Sequence, residues 1–134
     1  MCTIVPEVVE ELKKFRFAKN NESSALILKV DREKQEIVID ELLENVTVEE
    51  LQESLPSHQP RFIVYAYKMI HQDRISYPLC FIFYTPRDSQ MELQMLYARS
   101  KLPLQKQADL TRSYEIREIE DFTEEWLISK LSKP

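Results

Sequence analysis

Apolar residues return along this chain with two different periods, and the changes between them set out the elements. Val5, Val8, Val9, Leu12 and Phe15 recur every three to four positions, which predicts a helix over 6–18 with Pro6 in its first turn. The period then shortens. Residues 24–31 and 35–40, the latter with Ile37-Val38-Ile39, read as the two strands of a hairpin across a short charged turn. Thr47, with Glu50 three positions on, is a capping box that opens a short helix, and Pro56 ends it. The two longest strand signals lie at 61–69 and 75–84. The second is apolar on both faces from Leu79 to Tyr84, so it belongs in the middle of a sheet covered on both sides. Ser89 and Glu92 have the spacing of a second capping box, ahead of a helix over 91–102 that Pro103 should kink or end, with a short continuation toward Leu110. Residues 113–118 read as a last strand. Asp121 with Glu124 then caps a final helix bearing Phe122, Trp126, Leu127 and Leu131. This order predicts an α/β (α+β) fold, a mixed sheet of about five strands sandwiched between helices.

The helix over 91–102 is apolar on two opposite sides. At 3.6 residues per turn Met91, Met95, Ala98 and Leu102 share one side, Leu93, Leu96 and Tyr97 the other, with Ser100 between them. A surface helix needs one apolar stripe for its core. Pattern alone leaves two readings open for the second stripe: a face offered to a partner, or a core helix with a few ordinary exposed apolar side chains.

Length and composition narrow the classes. A chain of 134 residues is one domain by size, so 1–134 is read as a single unit, and 43% hydrophobic residues give it a real core. The formal net charge of -5 argues against a nucleic-acid partner and against adsorption to an anionic membrane. No apolar run nears the ~20 residues of a membrane span, and residues 1–11 do not have the form of a secretory signal. Glycine is absent altogether, where average usage of about 7% would give roughly nine. That removes the phosphate-cradling glycine loops and the Gly-x-Ser-x-Gly nucleophile elbow. Turns fall instead to Asn20-Asn21, Asp31-Arg32, Asn45, Pro56, Pro86 and Asp88.

Candidate chemistry is sparse. Cys2, Cys80, His58 and His71 show no metal-ligand spacing, so no metal and no cofactor is expected. Cys80 lies in an apolar strand, where a thiol is inert, and the two cysteines suit a reducing, cytosolic compartment. Glu49-Glu50 and Glu124-Glu125 sit in helix first turns, where they favour the helix dipole without any catalytic role. Lys13, Lys14, Arg16, Arg74, Arg99, Lys101 and Arg117 are ordinary solubilising charges taken singly. Beside an apolar stripe they have the look of an interface rim.

Three stretches in order carry a resemblance: Gln59-Pro60-Arg61-Phe62-Ile63-Val64-Tyr65, Tyr77-Pro78-Leu79-Cys80-Phe81-Ile82-Phe83, and Gln94-Met95-Leu96-Tyr97-Ala98-Arg99-Ser100-Lys101. With Lys14-Phe15-Arg16-Phe17 and Thr123-Glu124-Glu125-Trp126-Leu127 they span about residues 2–131. The chain resembles the actin-depolymerising factor homology family and, within it, the glia maturation factor branch. The resemblance implies a gelsolin-like fold with a five- to six-stranded mixed sheet. It implies a non-enzymatic, monomeric, cytoplasmic protein of the actin-rich cortex and leading edge. Such a protein binds the actin-related protein 2/3 complex on branched actin filaments, promotes debranching and inhibits nucleation of new branches. Filament-severing relatives carry lysines where this chain has Glu92 and Gln94, which implies weak or no binding to actin monomers; a cofilin-like severing protein is the alternative. The same resemblance implies a partner-binding stripe of Met91, Met95, Arg99 and Leu102 flanked by Gln94 and Lys101, with Tyr97 inward, and a second surface around Arg74, Arg117 and Glu124. The chain departs from the family in having Arg99 at a usually small position, a glycine-free turn at 71–74, and Thr3 as the nearest hydroxyl to a missing N-terminal serine.

Overall fold

In the computed structural model, which describes residues 2–18 and 21–132, the chain runs β1 (Thr3–Ile4), α1 (Pro6–Phe17), β2 (Ser24–Asp31), β3 (Glu36–Glu44), α2 (Val48–Ser54), β4 (Arg61–Ala66), β5 (Met69–His71), β6 (Arg74–Ser76), β7 (Leu79–Tyr84), α3 (Met91–Ala108), β8 (Ser113–Ile116) and α4 (Glu124–Leu131). Six strands form one mixed sheet in the order β1-β3-β2-β4-β7-β8, and β5 and β6 form a separate two-stranded ribbon. The inner strands pair antiparallel. The two edge strands, β1 on β3 and β8 on β7, pair parallel. The parallel β7–β8 pair requires a crossover, and α3 supplies it.

Every residue of β4 is buried because the sheet is covered on both faces. Alternate side chains therefore feed two cores. Phe62, Val64, Phe81, Phe83, Leu26 and Leu28 meet Val8, Leu12 and Phe15 of α1 and Leu93, Tyr97, Leu104 and Ala108 of α3. Ile63, Tyr65, Cys80, Ile82 and Tyr84 meet Val48 and Leu51 of α2 and Phe122, Leu127 and Leu131 around α4. Phe62 stacks on Phe81 and Phe83 with ring centroids 5.8 and 5.3 Å apart, and Tyr97 closes over it at 5.2 Å. Tyr97 is fixed at its far end, where its hydroxyl accepts a 2.9 Å hydrogen bond from the Val30 amide. One ring thus sets both the rotation of α3 about its axis and its height above the sheet.

The expected elements are present, with differences in detail. The Thr47–Glu50 capping box forms in both directions. The Ser89–Glu92 box does not. Ser89 Oγ donates to Pro86 O at 2.6 Å, Glu92 lies 3.4 Å from Arg32, and Gln90 takes the N-cap position without a side-chain bond. Thr123 rather than Asp121 caps α4, accepting from the Trp126 amide, while Asp121 closes a short 3-10 turn. Pro103 neither ends nor shortens α3, which runs unbroken to Ala108. The strand expected over 61–69 breaks after Ala66, and the one expected over 75–84 is divided between β6 and β7, so the hairpin tip leaves the main sheet. β3 extends to Glu44 because a bulge opposite Ile27 and Leu28 inserts Asp40 and shifts the alternation that marks a strand. At the N-terminal end, β1 pairs with β3 and Cys2 packs against the α1–α3 core. Of the expected Asn20-Asn21 turn, Asn20 lies outside the described residues.

Candidate partner-binding face

The two stripes of α3 separate cleanly. Leu93, Tyr97, Ser100, Leu104 and Ala108 are buried, and Leu96 packs half-buried at their margin. On the opposite side Met91 is 67% exposed, Met95 54% and Leu102 63%. Ala98 and Arg99 are exposed between them, and Lys101 is half-buried. Three large apolar side chains on solvent in one helix are held there because Tyr97, two to six residues from each of them, is locked into the core on the other side.

The N-terminal end of this stripe is fastened by a polar cluster. The Gln94 amide nitrogen donates to the carbonyls of Ser89 at 2.8 Å and Arg87 at 3.2 Å, and its oxygen accepts from Arg117 Nη2 at 2.9 Å. Arg117 directly follows β8, and its Nε is buried without a partner. The loop before α3 is tied to the same strand end: the Thr85 amide bonds to Ile116 O at 2.9 Å, the Arg87 amide to Arg117 O at 3.3 Å, and the Arg87 Nε lies 2.7 Å from Glu118.

The second group is not one cluster. Arg74 is exposed at the tip of the β5–β6 ribbon. Glu124, in the first turn of α4, accepts from the Tyr67 hydroxyl at 2.8 Å near the base of that ribbon. Burial first, then that bond and the Glu124 charge, push the Tyr67 hydroxyl up to about 12, so it stays a donor. Arg117 belongs instead with Gln94 under the α3 N-terminus. No hydrogen bond or ion pair among the described residues joins Arg74 to Arg117 or Glu124. Sequence reasoning missed the apolar pair Ile70 and Ile75, which face each other across the ribbon and are both exposed. Their equal distance from the 72–73 turn was the available signal. It also missed Phe17, exposed at the end of α1 with the Arg16 guanidinium 4.9 Å from its ring centre.

The remaining polar groups have local duties. Burial raises the Cys80 thiol to about 12, and its Sγ points at Tyr65 O, so no thiolate forms there near neutral pH. His58 Nδ1 lies 2.6 Å from Asp88 Oδ2 on an exposed loop pair. The half-buried ion pair of Arg61 and Asp40, at 3.0 Å, fills the bulge in β3. Among the described residues no group of three or more His, Cys, Asp or Glu side chains could hold a metal ion, and no helix is long and apolar enough to cross a membrane.

A six-stranded sheet with edge strands in parallel, helices on both faces and one long helix with an exposed apolar stripe defines a class. The chain belongs to the cofilin/tropomyosin-type actin-binding protein family, whose model matches residues 1–132. Within that family its likeness is to the glia maturation factors. It is 64% identical to Glia maturation factor of Drosophila melanogaster over 132 residues, covering 98% of this chain and 96% of the relative. It is 51% identical to Glia maturation factor beta of Homo sapiens, covering 98% and 93%. The solution structure of glia maturation factor from Caenorhabditis elegans superposes with a TM-score of 0.84 at 46% identity, over 97% of this chain and 95% of that one. A Streptomyces griseoflavus cofilin structure shares the fold at a TM-score of 0.85 and 20% identity, covering 98% of both chains. Family and relatives together give the chain an actin-regulatory role.

Proposed function

We propose that this protein binds the actin-related protein 2/3 complex through the outer face of α3, promotes loss of branches from actin filaments and inhibits nucleation of new ones, without catalytic turnover. The observation that carries the reading is the exposed stripe of Met91, Met95 and Leu102 on a helix whose opposite side is locked into the core. An apolar stripe rimmed by Arg99 and Lys101 has the composition of an interface centre with a polar border. Binding drives the effect by preferring one state of the branch junction, which shifts the population toward release. At the N-terminal turn of α3, Glu92 is paired with Arg32 and Gln94 is turned inward. That turn therefore offers an actin monomer no free cation, which favours weak or no monomer binding. Arg74 and Glu124, on and beside the ribbon, form a second and weaker contact. A monomer in the cytoplasm, working at the actin-rich cortex and leading edge, suits this role.

The test is single-filament imaging of pre-formed branches with and without the protein. Shortened branch lifetime with unbranched filaments left intact is the expected result. Severing of unbranched filaments would move the protein to the cofilin-like class, and unchanged branches would overturn the reading. Met95→Ala combined with Arg99→Glu should abolish the shortening. Both positions are exposed, so the variant should unfold within about 0.5 kcal/mol of the unaltered chain.

A further inference from the structure

The N-terminus of α3 lacks a side-chain cap, and the residue expected to provide one, Ser89, bonds backward to Pro86. An uncapped first turn frays, yet Met91 stands in that turn. The Gln94 amide takes over the holding role. One nitrogen reaches two carbonyls of the incoming loop, and one oxygen meets a guanidinium from the far end of β8. The three partners fix the amide's orientation, since a flipped group would set its donors against Arg117 and its oxygen against two carbonyls. A carboxylate could keep only the arginine contact, a lysine only the carbonyl contacts, and a thioether neither. Arg117 Nε is buried without a partner, so among the described residues the bond to Gln94 is the one hydrogen bond the Arg117 side chain makes.

We propose that Gln94 and Arg117 are a positioning pair: they act as one unit that fixes the first turn of α3 against the end of β8, and so presents Met91 and Met95 to the partner already ordered. Neither residue's polar group needs to touch the partner. The effect on binding rests on the partner-facing reading of α3 given above, while the clamp itself does not. Pre-ordering removes the entropy a frayed turn would lose on docking.

The test uses Gln94→Met, Arg117→Met and the double variant; at position 94 methionine preserves length and helix propensity while removing the side-chain hydrogen bonds, and at position 117 it keeps an apolar stem without the guanidinium. Two quantities are read: amide hydrogen exchange at Arg87, Ser89, Gln94 and Met95, and affinity for the purified branch complex. Each single variant should speed exchange at those four amides and leave central-sheet amides unchanged. Each should also weaken binding about tenfold, and the double variant should be no weaker than either single one. Unchanged exchange in Gln94→Met overturns the clamp. Faster exchange with unchanged affinity overturns the positioning role, and fully additive losses of affinity would mean two independent contacts. If the unaltered chain fails to bind the complex, the partner reading falls, and the exchange arm still decides whether the clamp exists.

Discussion

Gln35, Asn45, Gln72, Asp73 and Asp109 hold φ between 51° and 65°, in the left-handed region. Glycine takes such positions without steric cost, but this chain has none. Asparagine and aspartate tolerate the region better than glutamine, yet any side chain there is held at a cost of about 1 kcal/mol or more. The heaviest demand falls on Gln72 and Asp73, consecutive left-handed residues in the two-residue turn of the ribbon, a backbone that favours Asn-Gly. Asp73→Gly should relieve about 0.5–1 kcal/mol of strain. The relief should appear as slower amide exchange across β5 and β6; exchange at the unaltered rate would mean the turn is relaxed as it stands. This is also the scale at which the sequence misled. Ser89 and Glu92 have the spacing of a cap, but Pro86 offers the serine a nearer acceptor and Arg32 draws the glutamate away. Neither partner is adjacent in the chain to the residue it captures. For the same reason Gln94 reads as an outward contact when its three hydrogen bonds run inward.

At the scale of elements, α3 was legible because amphipathicity needs only local spacing: the exposed and buried stripes are those the 3.6-residue period separates. Its length was not. Pro103 cannot donate to the Arg99 carbonyl and crowds it, a cost of about 3 kcal/mol in a helix interior. The helix continues because Leu104 and Ala108, beyond the proline, are buried against the same core as Leu93 and Tyr97, and packing outweighs the local penalty. Pro103→Ala should therefore raise stability by about 1–3 kcal/mol, seen as a higher urea midpoint at unchanged slope. A lower midpoint would show that the proline ring packs better than the helix suffers. The ribbon teaches the converse. Residues 69–71 and 74–76 have strand character, and nothing local indicates that they part from the main sheet after Ala66 and rejoin it at Leu79.

For the whole molecule, the unbroken apolar run from Leu79 to Tyr84 made a sheet covered on both faces legible, since central strands need apolar residues on both sides. The edges were less so: β1 is two residues long, too short for any periodicity. The buried acids of this sheet predict how stability depends on pH. Burial raises Cys80 from 9.0 and Tyr67 from 10.0, both to about 12, Tyr65 higher still, and Tyr84 and Tyr97 in the same direction. In the unfolded chain these groups lose their protons near their ordinary values, so above about pH 9 the native state binds more protons than the unfolded one. Stability is then fully present below that pH and falls as pH climbs through the native values. The urea midpoint should be level from about pH 7 to 8.5 and drop steeply by about pH 10.5; a level midpoint across that range would contradict the burial of these hydroxyls and the thiol. The strand order carries one more consequence, for the chain as it is made on the ribosome. β4 emerges apolar on both faces, its neighbour β7 follows only after the ribbon, and the far edge of β7 waits through all of α3 until β8 is synthesised. Until about residue 116 has left the exit tunnel, an apolar strand stands with an open edge, and nascent chains on crowded polysomes have that interval in which to join one another instead of closing on themselves.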